Sequence, residues 1–139
     1  MGRYERAEPV NILIVEDEFT SRVILERLLS RYGRVHQCAD GREGVDAFAA
    51  ALAAGEPFDL ICLDVVMPEM SGPEALILIR SIEEEKGVLR SQGVKVIMTT
   101  GRDGTESDLE AVRHLSDAVI SKPVRVDDLT WTLASLGLV

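Results

Sequence analysis

The chain is 139 residues long, 46% hydrophobic and 28% charged, with a net charge of −9 at pH 7. That length fits one domain with a sizeable core, and the acidity argues against direct nucleic-acid binding, which asks for a basic face. No apolar run approaches the roughly 18 residues of a membrane span. The opening Met1-Gly2-Arg3-Tyr4-Glu5-Arg6 is too polar for a signal peptide, so a soluble cytoplasmic protein without membrane insertion is expected.

Residues 1–8 are predicted to be a tail. The run Val10 to Val15 is a strand candidate, and Glu16 and Asp17 close it. A first helix follows, with Ile24 and Leu28, then Leu25 and Leu29, paired at i, i+4. A short strand, Val35 to Cys38, precedes a second helix carrying Val45, Phe48, Ala49 and Leu52. The run Phe58 to Leu63 reads as a strand buried on both faces, ending at Asp64 just before Val65-Val66-Met67-Pro68. The third helix opens at Ser71-Gly72-Pro73-Glu74, where Ser71 caps, Pro73 suits the first turn and Glu74 closes a capping box.

Residues 81–93 read as a charged extension of that helix and a loop closed by glycines, with Glu83-Glu84-Glu85 as a solvated face. Val94 to Thr99 forms a fourth strand, followed by Thr100 and Gly101. Leu109, Val112 and Leu115 mark the fourth helix. Ala118 to Ser121 is the last strand, with Lys122-Pro123 behind it. Leu129, Leu133 and Leu136 mark the fifth helix, where Trp131 is expected to be partly buried. Cys38 and Cys62 have no metal-type spacing and read as buried, reduced thiols. His36 and His114 read as surface or packing residues.

Strand and helix thus alternate five times with short connections, which implies an α/β fold: a doubly wound parallel sheet with helices on both faces. Open sheets of this kind bind ligands at the carboxyl ends of their strands. Here those ends deliver three acids, a hydroxyl and an amine to one edge. Each signal is weak by itself. Glu16-Asp17-Glu18 could satisfy a helix dipole, Asp64 could form a turn, and Lys122-Pro123 could be a solvated loop. Their joint occurrence, in order and at successive strand ends, is specific.

Glu16-Asp17, Leu63-Asp64-Val65-Val66-Met67-Pro68-Glu69-Met70-Ser71-Gly72, Thr99-Thr100-Gly101 and Lys122-Pro123 together resemble the receiver domain of bacterial two-component response regulators, from Val10 to Leu136. The resemblance implies a flavodoxin-like (βα)5 sheet of order 2-1-3-4-5, spanning residues 9–139 as a single-domain, chemotaxis-regulator-like protein. It implies Asp64 as the phospho-acceptor, since a carboxylate can attack phosphorus to give an acyl phosphate. Like charges on acceptor and phosphoryl group call for a divalent cation, Mg²⁺ or Mn²⁺, with oxygen ligands. The resemblance supplies Glu16, Asp17, Asp64 and the backbone carbonyl of Val66 as those ligands. Lys122 and Thr100 would stabilise the phosphoryl oxygens, the Lys122–Pro123 bond would be cis, and Thr100, Gly101 and Val119 would form the switch.

The implied partners are a histidine kinase or phosphotransfer protein and a downstream protein target. The module would not be an enzyme toward external substrates. An aspartyl-phosphate phosphatase of the haloacid dehalogenase type needs an acid two residues past its nucleophile, and Val66 stands there. A non-phosphorylated binding module of the same fold would be favoured by a lost site residue, and none is lost. Two features depart from the family: Val119 and Val124 replace common aromatic residues, and the 81–93 segment is longer than usual.

Overall fold

The computed structural model describes residues 9–101 and 104–139; the predicted tail, residues 1–8, lies outside the described residues. The elements are β1 (Val10–Val15), α1 (Phe19–Leu29), β2 (Gly33–Cys38), α2 (Gly41–Ala53), β3 (Leu60–Asp64), α3 (Gly72–Glu85), a 3-10 turn (Arg90–Gln92), β4 (Lys95–Thr100), α4 (Glu106–Val112), β5 (Ala118–Ser121) and α5 (Val126–Ser135). The strands pair in parallel in the order β2-β1-β3-β4-β5.

Strand periodicity divides the core into two layers, because successive side chains point to opposite faces. Leu13, Val15, Ile61, Leu63, Val96 and Met98 meet Val45 and Phe48 of α2, Leu76 and Ile79 of α3, and Val112 of α4. Ile12, Ile14, Leu60, Cys62, Ile97 and Ile120 meet Leu25 and Leu29 of α1 and Leu129 and Leu133 of α5. Strands buried on both sides have to be apolar throughout, which is why β3 has no polar residue before Asp64. Burial pushes the Cys38 thiol up to about 11 and the Cys62 thiol up to about 12, so both are poor nucleophiles. His36 is exposed, with its ring 6.2 Å from that of Phe58, and His114 is exposed.

The α3 start is built as its sequence indicates. Ser71 Oγ accepts from the Glu74 N–H (3.2 Å), and the Glu74 carboxylate accepts from the Ser71 N–H (3.0 Å). Gly72 sits so close to β3 that a Cβ there would lie 2.1 Å from the Asp64 carbonyl oxygen. The helix therefore starts directly against the strand end that carries Asp64.

Four expectations need correction. Ile24 is exposed, since the buried stripe of α1 runs through Leu25 and Leu29, a hundred degrees away. Leu115 lies beyond the end of α4. Trp131 is 72% exposed, because it falls between Leu129 and Leu133 on the far side of α5. Glu83 is not on a solvated face: it is 5% exposed and continues the buried stripe of Leu76, Ile79 and Arg80. Its carboxylate accepts from Arg80 Nη1 (2.7 Å) and from the Val94 N–H (2.7 Å). Arg80 also donates to the carbonyls of Val94 (2.9 Å) and Leu115 (3.0 Å) and to Asp117 (3.2 Å). The 81–93 segment is thus anchored at the amino end of β4, across the sheet from Asp64.

Candidate functional site

Strand register brings the site together. Val15 pairs with Leu63, Asp64 with Thr99, and Thr100 with Ser121, so β1, β3, β4 and β5 all end at one edge. Glu16 follows β1 and is fully buried, its N–H donating to the Cys38 carbonyl (3.1 Å). Asp17 is exposed at the rim. Glu18 serves a different purpose from its two neighbours: it caps α1, accepting from the N–H groups of Thr20 (3.0 Å) and Ser21 (2.8 Å). Its own N–H donates to Glu16 Oε2 (3.1 Å).

Asp64 is 4% exposed, and Oδ1 accepts weakly from the Val66 N–H (3.4 Å). Lys122, joined to Pro123 by a cis bond as expected, reaches back across the sheet edge. Its Nζ lies 2.8 Å from Glu16 Oε1 and 3.2 Å from Asp64 Oδ2. One carboxylate oxygen each from Glu16, Asp17 and Asp64 lies within 4.8 Å of the others. The open cleft above them, about 480 Å³, is lined by Val66, Met67, Pro68 and Gly101 besides these acids and Lys122.

Hard oxygen donors converging from two strand ends, one of them exposed to solvent, fit a small divalent cation that keeps part of its water shell. Thr100 stands back from the cleft, its hydroxyl donating to the adjacent Gly101 carbonyl (3.4 Å). Val119 is 47% exposed and lines a separate shallow groove with Leu109, Arg113 and Asp117.

The electrostatics are those of an acid held in a crowd. Burial, then the neighbouring Glu16 charge, pushes the Asp64 carboxyl up to about 7, although Lys122 pulls the other way. Burial disfavours the Lys122 ammonium, but Glu16 and Asp64 outweigh it and raise its pKa. A carboxyl whose pKa is raised on folding binds its proton more tightly in the native state. Stability is therefore lost as pH climbs from the ordinary carboxylate range through about 7. At pH 8 without metal, Asp64→Asn should melt higher than the parent by roughly 3–8 °C, the shift that about 1–2 kcal/mol gives in a domain of this size. At pH 5 the gap should shrink. A thermal melt series in EDTA checks this, and an equal or larger gap at pH 5 would refute it.

Glu18 was legible in the sequence only within an acid cluster at a helix start, and Arg22 went unassigned there, yet each left a usable signal. Glu18, just ahead of the first helical residue, is at an N-cap position. Arg22 is a cation in a first turn, and its Nη1 donates to the Glu16 carbonyl (2.8 Å).

An open parallel sheet with acids and a lysine at one carboxyl edge has the donors for a cation and the charge for an anion at the edge where such sheets bind ligands. The chain matches the response regulator receiver domain family over residues 12–134. It is 34% identical over 122 residues to histidine kinase CKI1 of Arabidopsis thaliana, covering 80% of this chain and 10% of the kinase. It is 30% identical over 129 residues to response regulator MprA of Mycolicibacterium vanbaalenii, covering 92% of this chain and 50% of that protein. The crystal structure of the CKI1 receiver domain complexed with Mg²⁺ and BeF₃⁻ superposes with a TM-score of 0.77 at 27% identity, covering 96% of this chain and 92% of that one. The chain belongs to the response regulator receiver domain family, and its fold is the five-stranded 2-1-3-4-5 sheet of that family. It spans half or less of the length of the curated relatives named above. Among the described residues no helix is long and apolar enough to cross a membrane.

Proposed function

We propose that this receiver, residues 9–139 with a tail at 1–8, takes a phosphoryl group onto Asp64 from a histidine kinase or phosphotransfer protein and changes its affinity for a protein target. The observation that carries this reading is the Lys122 ammonium lodged between Glu16 and Asp64, beside a carboxylate cluster open to the cleft. An Asp64 oxygen would form the new bond to phosphorus as the donor's phosphorus–nitrogen bond breaks, the electron pair leaving with the imidazole. Glu16, Asp17, Asp64 and the Val66 carbonyl would hold Mg²⁺ or Mn²⁺, which supplies charge neutralisation to the phosphoryl oxygens. Lys122, whose Nζ lies 3.2 Å from Asp64 Oδ2 before transfer, would pair with those oxygens. Thr100, whose hydroxyl donates to the Gly101 carbonyl, would turn from it toward them.

The switch would run through Thr100, Gly101 and Val119. Valine is too small to fill the space that a moving threonine leaves, so we assign the readout to the loop after Thr100 and to α4. A cytoplasmic setting and protein partners, not nucleic acid, accord with the acidic surface. The phosphatase reading lacks its general acid, because Val66 stands two residues past Asp64.

The parent chain given a small phosphodonor and Mg²⁺ should take one hydroxylamine-labile phosphate, and none in EDTA; unchanged labelling in EDTA would contradict the cation's part. The phosphate should also last. Val66, 41% exposed at the cleft, has no polar group to orient an attacking water. Val66→Asn is expected to lose its label several times faster than the parent in a pulse-chase, and equal or slower decay would refute this.

A further inference from the structure

Arg22 is hard to explain as part of a helix. It occupies the first turn of α1, where the macrodipole disfavours a cation and where the only offsetting acid among the described residues of that helix end is the N-cap, Glu18. Its side chain turns back, away from the helix. Nη1 donates to the Glu16 carbonyl at 2.8 Å and reaches the Asp17 carbonyl at 3.5 Å. The guanidinium lies over the ring of exposed Phe19, 5.6 Å from its centroid. That stacking restricts a long, otherwise mobile side chain to one direction.

Glu16 is already held at its N–H by Cys38 and at its carboxylate by the Glu18 N–H and Lys122. Its carbonyl, which begins the peptide leading to Asp17, is held by Arg22. Asp17 is exposed, so the peptides on either side of it set where its carboxylate points.

We infer that Arg22, braced by Phe19, is a positioning residue for the divalent-cation site: it fixes the Glu16–Asp17 backbone so that both carboxylates face the cleft together. The inference rests on the cation-dependent phosphorylation proposed above, and it predicts a sign that charge alone does not. Removing a cation from beside three acids should, by Coulomb's law, tighten Mg²⁺. Removing a brace should loosen it.

The full chain is titrated with MgCl₂ alone, following the amide resonances of Asp17 and Val66, for the parent, Arg22→Met and Arg22→Lys. Arg22→Met is expected to raise the half-saturating Mg²⁺ concentration at least fivefold, with Arg22→Lys falling between it and the parent. Labelling by a small phosphodonor at saturating Mg²⁺ should stay within twofold of the parent, since Arg22 touches no reacting atom. Unchanged or tighter Mg²⁺ binding by Arg22→Met overturns the inference, as does a lower saturated rate with unmoved Mg²⁺ affinity. If Arg22→Met fails to fold by circular dichroism, Arg22→Lys decides, and parent-like affinity there overturns it. Labelling of the parent tests the underlying reading separately. A parent that binds Mg²⁺ but takes no phosphate refutes phosphorelay, while the titration still decides the part played by Arg22.

Discussion

Asp64→Asn is expected to take up no hydroxylamine-labile phosphate from a small phosphodonor in Mg²⁺, against one per parent chain. The amide keeps the shape of the side chain but supplies neither a nucleophilic oxygen nor a charge for the cation. No nearby group is a ready substitute. Glu16 is fully buried beneath Lys122, and Asp17 lies at the rim, displaced from Lys122. Intact mass before and after hydroxylamine treatment measures the outcome. Retained label in Asp64→Asn would move the acceptor elsewhere and dismantle the assignment. The same variant should melt higher than the parent at pH 8 in EDTA, so lost labelling cannot be put down to lost folding.

Arg80→Met should cost about 3–5 kcal/mol of stability, the range for stripping one partner from a buried ion pair. Arg80 is nearly buried and donates to Glu83, Asp117 and the carbonyls of Val94 and Leu115. Without it, the Glu83 carboxylate keeps, among the described residues, only the Val94 N–H, in a site where a lone charge is poorly solvated. Asp117 retains Arg90 at 3.6 Å and the Val96 N–H at 2.8 Å, so the loss concentrates on Glu83. The double change Arg80→Met with Glu83→Leu should recover most of the deficit, because the pair's net worth is small once both charges are gone. Urea unfolding of both variants measures this. A loss under about 1 kcal/mol in the single variant would show that the cluster does not anchor the 81–93 segment. Phosphate uptake by the folded fraction should match the parent, since the cluster is at the opposite edge of the sheet from Asp64.

The sequence by itself determined the five strands, the five helices and the edge on which the acids and Lys122 gather. Apolar periodicity is local: a run such as Leu60 to Leu63 is legible wherever it pairs, and a polar residue ending it marks a strand end. The capping box at Ser71 and Glu74 was legible for the same reason, its partners being three residues apart. What the tertiary structure decided is which polar groups meet. Lys122 lies between Glu16 and Asp64 because parallel register aligns the ends of β1, β3 and β5. Glu83 is buried because Arg80, Val94 and the start of β4 converge on it, although its seven-residue spacing from Leu76 already placed it on the inner stripe. Trp131 is exposed because α5 lies on the sheet through Leu129 and Leu133, which turns the residue between them outward. A charge or an indole in a helix carries no local signal for the partner it will find, and that partner comes from a distant part of the chain.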